Sequence, residues 1–261
     1  NDLITDDFVI EPASTIISYA INHGNEGNPV NDEEKERLLS LLLDPNNAKW
    51  SELSTNLDES NFPSVVCTMR SYGKAAYILG PLFISNVMKI LPSFVEVHKF
   101  FSSVSVSTNE QAIIMRHVKT SIVVAIESFA KKLTLCSPFV AEFVLTQCLP
   151  MSENFSNSQK EARDPSLLRL FGLFCEKYGD FLLPQMELLF SFLFIPTMNI
   201  ITNADEMCSS FGNDGSCDSF DEDVINMHRS YLLSFIDGTV KGCIDFVASF
   251  NESTLNSFVE T

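Results

Sequence analysis

Residues 221–250 read DEDVINMHRSYLLSFIDGTVKGCIDFVASF, and apolar side chains recur at helical spacing through the first half of this stretch. The residues on this apolar face are Val224, Met227, Tyr231 and Phe235, with Ile225, His228, Leu232 and Ile236 beside them. Gly238 is predicted to end this helix at a turn, and a second amphipathic helix is predicted from Thr239. The inward side chains of that second helix are predicted to be Val240, Cys243, Ile244, Val247 and Phe250.

Two amphipathic helices joined by a tight turn cannot bury both of their apolar faces alone. They need neighbouring helix pairs, and such stacking is typical of a helical solenoid. Two-helix units start near Phe62, Asn109, Asp164 and Asp221, 47 to 57 residues apart, where HEAT-like repeats have about 40–47. The sequence therefore predicts an all-α, HEAT-like α-solenoid of antiparallel helix pairs over residues 1–261, as a fragment of a larger superhelix. A compact irregular bundle is the competing fold.

Turn-forming residues predict where the helices break. Loops are predicted at residues 22–32, 151–163 and 203–220. Asp32 is predicted to cap a helix that ends at the Asp-Pro-Asn-Asn string of residues 44–47, and residues 50–60 are predicted to be a polar connector. Further helices are predicted over residues 62–79, 82–101 and 109–135. The first two have predicted inward faces made of Val65, Val66, Met69, Tyr72, Ala76 and Leu79, and of Phe83, Val87, Ile90, Leu91 and Phe94. The third has a predicted apolar stripe made of Ile113, Ile114, Val118, Ile122, Ala125, Ile126, Phe129 and Leu133. Pro92 is expected to kink or split the second of these helices, and a later helix is expected to break at Gly179.

The string Met-His-Arg-Ser-Tyr at residues 227–231, followed by Phe235, resembles a helix of exportin-T, the nuclear export receptor for tRNA. The residues that carry this resemblance are His228, Arg229, Ser230, Tyr231 and Phe235. Upstream, residues 167–193 (LLRLFGLFCEKYGDFLLPQMELLFSFL) resemble the preceding helix pair of that family. The family has two basic residues before Ser-Tyr, whereas this chain has one histidine and one arginine.

The resemblance implies a function in nuclear transport. A protein of this family would bind mature tRNA together with Ran-GTP, contact nucleoporins and shuttle between nucleus and cytoplasm. Because exportin-T-like proteins are several times longer than this chain, most of the Ran contacts would come from repeats outside it. The resemblance implies no catalysis and no cofactor.

Charge is distributed unevenly along the chain. The formal net charge is −17, from 17 basic and 34 acidic residues, and this value alone argues against a nucleic-acid binder. Residues 62–133, however, hold eight basic and three acidic residues, so this segment is +5 and the remainder is −22. The candidates for contacting tRNA phosphates are Arg70, Lys74, Arg116, Lys119, Lys131 and Lys132. The last four would form a line of donors on one helix face, although an ordinary solvated helix face is the alternative interpretation.

Catalytic and metal-binding signatures are missing from the sequence, which has no glycine-rich phosphate loop, HExxH, GxSxG or EF-hand pattern. The seven cysteines are scattered without CxxC spacing, which favours buried thiols over disulfides or a zinc site. The 22 phenylalanines lie largely in apolar helices, which favours core packing over base stacking. Proline and polar residues interrupt the apolar stretch at residues 181–201, so no membrane insertion is expected. The sequence predicts no enzyme, no metal and no cofactor.

Two alternatives to tRNA export remain open at this point. The first is another transport receptor of the same superfamily with a protein cargo, for which an acidic surface would be suitable. The second is a HEAT-type scaffold subunit without a role in transport. A basic concave patch would favour tRNA, whereas an acidic concave wall would favour a protein cargo.

Overall fold

The computed structural model describes residues 7–24, 30–104, 109–133, 143–144, 146–148, 166–210 and 222–248. Within these ranges the chain forms α-helices, short 3-10 turns and one π-helical segment, and it contains no strand. The all-α, HEAT-like prediction is therefore confirmed. The chain has two compact units, Asn1–Cys148 and Leu149–Thr261, and the expectation of one continuous repeat segment stays a prediction.

The first unit contains five long helices within the described residues. They are α1 (Asp7–His23), α2 (Asp32–Thr55), α3 (Phe62–Leu79), α4 (Ile84–Ser103) and α5 (Asn109–Leu133). Helix α3 packs against α1 and α5, while α2 and α4 pack against each other and cover the other side of the unit. The helices therefore form two layers, α1–α3–α5 and α2–α4, as expected for stacked helical hairpins.

Contacts between α3 and α5 show the direction of neighbouring helices within a layer. Arg70 at the middle of α3 lies 3.5 Å from His117 of α5, and Tyr77 near the end of α3 lies beneath Lys132 of α5. Because the contacting positions increase together along both helices, α3 and α5 run parallel. Parallel neighbours within a layer and antiparallel neighbours within a hairpin are the arrangement of HEAT-like repeats.

Helix α2 corrects two boundary predictions. The helix does not end at residues 44–47, because α2 continues through Pro45 to Thr55. The polar connector predicted at residues 50–60 is therefore wrong over residues 50–55, which are helical. Its second half is joined to α4 in the same layer: the Trp50 Nε1–H donates to Ser93 Oγ at 2.7 Å, and the indole is 3% exposed. Burial of this large side chain offsets a helix-interior proline, which costs roughly 3 kcal/mol.

Asparagine 47 shows why the predicted stop string is helical. Its Nδ2 donates to Asn86 Oδ1 at 2.8 Å, and its Oδ1 accepts from the Tyr72 hydroxyl at 2.9 Å. These hydrogen bonds join α2 to both α3 and α4. At the start of α2 the capping residue is Asn31 rather than the predicted Asp32, because the Asn31 side chain accepts a hydrogen bond from the Glu34 N–H at 2.8 Å.

The core of the first unit confirms the predicted inward faces of α3 and α4. Their buried residues include Val65, Val66, Met69, Tyr72, Ala76, Leu79, Phe83, Val87, Ile90, Leu91 and Phe94. Helix α4 is continuous across Pro92, so the splitting of this helix was wrongly predicted. On α5, Ile113 is 63% exposed and thus does not belong to the predicted stripe, while Ile122, Ile126 and Phe129 are fully buried.

The second unit contains α6 (Ser166–Leu182), α7 (Met186–Leu189), α8 (Ile195–Ser210), α9 (Glu222–Gly242) and α10 (Ile244–Ala248). The π-helical segment Phe190–Phe194 joins α7 to α8. Helix α6 is interrupted at Tyr178, whose φ of −141° and ψ of 36° are not helical, and this confirms the break predicted next to it at Gly179. Buried phenylalanines of this unit, Phe174, Phe190 and Phe194 among them, confirm the core-packing interpretation.

The three predicted loops have different outcomes. Residues 203–210 belong to α8, so the loop predicted at 203–220 is wrong over that part, and its remainder lies outside the described residues. The loop predicted at 22–32 agrees with the end of α1 at His23 and the start of α2 at Asp32, while residues 25–29 lie outside the described residues. The loop predicted at 151–163 also lies outside them.

Four glycines bring the backbones of α6 and α9 into direct contact. A Cβ at Gly238 would overlap the Gly172 carbonyl, and Cβ atoms at Gly179 and Gly242 would overlap backbone of the opposite helix. Gly238 was predicted to end a helix, and this prediction is wrong. It lies inside α9, where α6 crosses that helix. The second helix predicted from Thr239 is wrong for the same reason, and Val240 and Ile244 are 42% and 58% exposed rather than inward.

Substitution of Gly238 by alanine should strongly destabilise the protein. The added methyl group has no space beside Gly172, so α6 and α9 must separate, at a cost of about 3 kcal/mol or more in the free energy of unfolding. Val240→Ala, two residues away on the exposed side of α9, is the matched control and should change it by less than about 0.5 kcal/mol. Chemical denaturation followed by circular dichroism measures both, and equal midpoints would contradict the close crossing.

Candidate docking groove

Metal-binding clusters and reactive thiols are the two kinds of chemical site that the described residues allow us to assess. No group of three or more His, Cys, Asp or Glu side chains in the described ranges could hold a metal ion. A hydrogen bond with Cys243 and burial together raise the pKa of the Cys175 thiol, and burial alone raises the pKa of the Cys148 thiol. These two thiols stay protonated at neutral pH, so neither provides a thiolate nucleophile.

Lys119 is not part of an exposed basic face. It is 3% exposed, because it occupies the same side of α5 as Met115, Ile122 and Val123, which are all buried. The spacing of these residues, three and four apart, places them on one helical stripe that packs against the rest of the unit. The prediction that Lys119 continues the line of phosphate donors from Arg116 is therefore wrong, whereas Arg116 is exposed as predicted.

Three other candidate lysines already interact with neighbouring side chains. Lys131 Nζ lies 3.8 Å from the carboxylate of Glu127, which is 4% exposed. Lys132 Nζ lies over the ring of Tyr77, 3.9 Å from its centroid. Lys74 Nζ lies 3.7 Å from Glu11 Oε2 on α1. Of the line predicted along α5, Lys119 is buried, and Lys131 and Lys132 interact with Glu127 and Tyr77.

Arg70 and Lys74, the two candidates on α3, border a groove. This cavity of about 650 Å³ lies between α1, α3 and α5. The apolar and small residues that line it lie on two adjacent helices. They are Met69 and Gly73 on α3 and Val124 and Ala125 on α5. Gly73 faces α5, where a Cβ would be in van der Waals contact with Ser128 Oγ at 3.4 Å. Small residues on the facing helices therefore give the groove its depth.

The charged side chains at the edge of the groove, Arg70 and Lys74, make long polar contacts with their neighbours. Arg70 Nη2 and His117 Nε2 are 3.5 Å apart, and because arginine can only donate, the imidazole nitrogen is the acceptor in this contact. The ion pair between Lys74 and Glu11 spans 3.7 Å, with side-chain exposures of 38% and 61%. Exposed ion pairs of this kind contribute about 0–1 kcal/mol, so a ligand carboxylate can compete for either cation.

The helix that resembles exportin-T has mainly structural side chains. On α9, Phe235 is fully buried and Tyr231 and His228 are 7% and 9% exposed, while Arg229 and Ser230 are exposed. Arg169 of α6 lies over the Tyr231 ring, 5.8 Å from its centroid. These contacts place Tyr231 and Phe235 in the core that joins α6 to α9, and a role of the string in binding stays a prediction.

One stretch of the described chain passes a length and hydropathy test for a membrane span. Residues Phe62–Ser103 have a mean hydropathy of 1.6 in their most apolar window, of which 44% is buried. In the structure this stretch is α3, a 3-10 turn and α4, and its apolar side chains pack against α1, α2 and α5. The core helices of a folded domain pass the same test, and the expected lack of membrane insertion stays a prediction.

Comparison with known proteins gives one family match. Residues 84–211 match the family model described as CRM1 C terminal. The chain has no match among curated proteins. The family match supports the importin-β/exportin superfamily and does not single out exportin-T. The matched range runs from α4 to the end of α8, so α3 with Arg70 and Lys74 precedes it, and the exportin-T-like string on α9 follows it.

Small residues on α3 and α5 are the sequence feature that indicates the groove. Gly73 on α3 and the small residues Ser121, Ala125 and Ser128 on α5 lie at positions where two parallel helices face each other. The sequence alone does not show that these small residues face each other, because it does not show which helices are neighbours in space. Only the packing of α1, α3 and α5 in one layer brings Arg70, Glu11 and His117 together.

Alanine substitutions of the buried Lys119 and the exposed Arg116 should have different effects on stability. Lys119→Ala removes a side chain that is 3% exposed and is expected to lower the free energy of unfolding by about 1–3 kcal/mol. Arg116→Ala, on the exposed side of the same helix, should change it by less than about 0.5 kcal/mol. Thermal or chemical unfolding of the two variants checks this, and a Lys119→Ala variant as stable as the parent would show that this lysine is on the surface.

Proposed function

We propose that this chain is a segment of an exportin-type nuclear transport receptor that binds cargo together with Ran-GTP. The observation that carries the proposal is the match of residues 84–211 to the CRM1 C-terminal family. The two layers of helices, with parallel neighbours inside each layer, support it because transport receptors of this superfamily are built from such repeats. The family consists of transport receptors without catalytic activity, and the proposal requires none of this chain.

The transport mechanism follows from linkage between two ligands. Cargo and Ran-GTP would both stabilise one conformation of the helical repeats, so each would raise the affinity of the other. Hydrolysis of GTP by Ran would remove that stabilisation and release the cargo. The receptor would then move between nucleus and cytoplasm through contacts with nucleoporins, and repeats outside this chain would supply most of the Ran contacts.

Transfer RNA is the first candidate cargo. It rests on the resemblance of residues 167–193 and 227–235 to exportin-T and on the basic residues of the first unit. Phosphate contacts would come from Arg70, Lys74, Arg116, Lys131 and Lys132, which position a folded RNA without reading its sequence. Lys119 leaves this set because it is buried.

A protein cargo or partner is the second candidate, and the groove favours it. Its walls include Met69, Tyr77 and Val124, and apolar walls of this kind suit side chains of a peptide better than a phosphate backbone. The acidic balance of the whole chain, −17, opposes a polyanion and agrees with this candidate. A scaffold subunit of HEAT type without a role in transport remains the third candidate.

Binding of tRNA to the full-length protein, with and without Ran-GTP and at two salt concentrations, tests the proposal. If tRNA is the cargo, Ran-GTP raises its affinity, and Arg70→Ala combined with Arg116→Ala weakens binding and lowers the salt slope by about one for each lost phosphate contact. The matched control is Lys35→Ala combined with Arg37→Ala, which removes the same charge from α2 and should have no effect.

The other outcomes separate the remaining candidates. Ran-GTP binding without tRNA binding retains the transport receptor and excludes tRNA as its cargo. If the protein binds neither Ran-GTP nor tRNA, the transport proposal is contradicted. The scaffold subunit is then the remaining candidate. Ran-dependent tRNA binding that the two arginine substitutions leave unchanged would retain tRNA as the cargo and exclude the basic surface of the first unit.

A further inference from the structure

We propose that Cys175 and Cys243 form a reversible disulfide, which fixes the break in α6 to the junction between α9 and α10 when a peroxide oxidises the two thiols. Both cysteines belong to the second unit, and neither lines the groove of the first unit. The disulfide does not depend on the proposed transport function. Three local features carry it: the contact between two helix backbones, the position of the thiols at that contact, and the short helix next to Cys243.

The backbones of α6 and α9 touch beside both cysteines. A Cβ at Gly242, the residue before Cys243, would overlap the carbonyl group of Cys175 and would lie 3.0 Å from Glu176 Cα. A disulfide requires two Cα atoms about 4.4–6.8 Å apart, and backbones in direct contact bring the neighbouring residues into that range. The crossing of the two helices therefore permits a disulfide between them.

The two thiols lie at this crossing. Cys243 Sγ donates to the Gly179 carbonyl oxygen at 3.7 Å, and a Cβ at Gly179 would lie 3.1 Å from this sulfur. Cys175 lies four residues before Gly179 on the same helix, and its thiol is within hydrogen-bonding reach of the Cys243 thiol. Both side chains are buried, with exposed fractions of 0% for Cys175 and 2% for Cys243. Two different helices therefore hold the two sulfur atoms next to each other.

The disulfide would join two points at which helices are already interrupted. Tyr178, three residues after Cys175, has the non-helical φ and ψ that break α6. Cys243 lies between α9, which ends at Gly242, and α10, which begins at Ile244. Sharp bends of helices occur where the ladder of backbone hydrogen bonds is interrupted. A covalent bond between these two points would therefore fix the angle of the chain at both.

Helix α10 explains how an oxidant reaches a buried thiol. This helix has five residues, none of which is buried, so little free energy holds it in its place. Transient opening of α10 would expose Cys243 to water. A thiol in water is partly ionised at neutral pH and reacts with peroxides.

The oxidation proceeds in two balanced steps. In the first step the Cys243 sulfur attacks a peroxide, the O–O bond breaks, and a sulfenic acid forms together with water or an alcohol. In the second step the Cys175 sulfur attacks the sulfenic sulfur, the S–O bond breaks, and the hydroxyl leaves as water with the Cys175 proton. The peroxide gains two electrons and the pair of thiols loses two. Two small thiol molecules reverse the reaction by thiol–disulfide exchange, as is usual for the transient disulfides of reducing compartments.

Hydrogen peroxide tests the proposal on the 261-residue chain. After oxidation, the remaining thiols are alkylated with N-ethylmaleimide in denaturant, and the tryptic peptides are mapped by mass spectrometry. The expected product is a peptide pair that joins Cys175 to Cys243. The bond closes a long loop of the unfolded chain, so the Tm of the oxidised protein should rise by about 5 °C or more, and dithiothreitol should restore the original Tm.

Cysteine variants show whether the shift in Tm comes from this bond. Cys243→Ala should abolish both the cross-link and the shift, and Cys175→Ala should do the same. Cys148→Ala removes another buried thiol and is the matched control, which should leave the cross-link and the shift unchanged. Circular dichroism and the Tm before oxidation show whether each variant is folded.

Two substitutions on α10 test the opening step with both cysteines in place. The rings of Phe246 and Phe190 pack together, with their centroids 5.2 Å apart. Phe246→Ala should therefore favour opening and accelerate the cross-linking about fivefold. Ile244→Ala is the matched control, because Ile244 is 58% exposed, and it should leave the rate within about twofold of the parent.

Other outcomes would overturn the proposal. Oxidation of Cys175 and Cys243 to separate sulfinic acids, or disulfides of either one with other cysteines, would show that the two sulfur atoms do not meet. A cross-link that forms only when denaturant unfolds the chain would show that the folded protein does not react. Equal rates for Phe246→Ala and Ile244→Ala would contradict the opening of α10 as the route of the oxidant.

Discussion

The packing of α3 between its two layer neighbours is the constraint on which the first unit depends. Most of α3 is buried: α1 and α5 cover its sides, and α2 and α4 cover the face that carries Tyr72. One strip remains accessible, and Arg70, Lys74 and Tyr77 lie along it, each three or four residues from the next. The groove is therefore a consequence of the solenoid arrangement, because its floor is the only side of α3 that no described neighbour covers.

Hydrophobic periodicity predicted much of this architecture. The ends of α3 and the inward faces of α3 and α4 follow from apolar residues at helical spacing and from Gly80, which has a φ of +52°. Local turn signals failed where tertiary contacts were stronger. Pro45 and its asparagine neighbours read as a stop, yet the hydrogen bonds from Asn47 and the burial of Trp50 hold α2 in one piece. No local pattern contains those contacts, since their partners lie about 25 to 43 residues away.

The predictions for Gly238 and Lys119 are wrong because each residue type occurs in two different structural settings. A glycine ends a helix when a turn is needed, but it also permits two helix backbones to touch, and the second use depends on Gly172 in a different helix. A lysine usually lies in water, yet Lys119 shares its side of α5 with Met115 and Ile122. The stripe that buries Lys119 is visible in the sequence, although lysine generally lies on the surface of proteins.

The family match and the groove cover different parts of the chain. The match therefore gives little information about the ligand of the groove. The match begins at residue 84, so it includes α5 but neither α1 nor α3. Two of the three helices that line the groove, and both of its α3 cations, thus lie before the matched range. The repeat architecture places α1, α3 and α5 side by side. The identity of the ligand depends on side chains such as Arg70, Tyr77 and Val124, which the architecture leaves open to change.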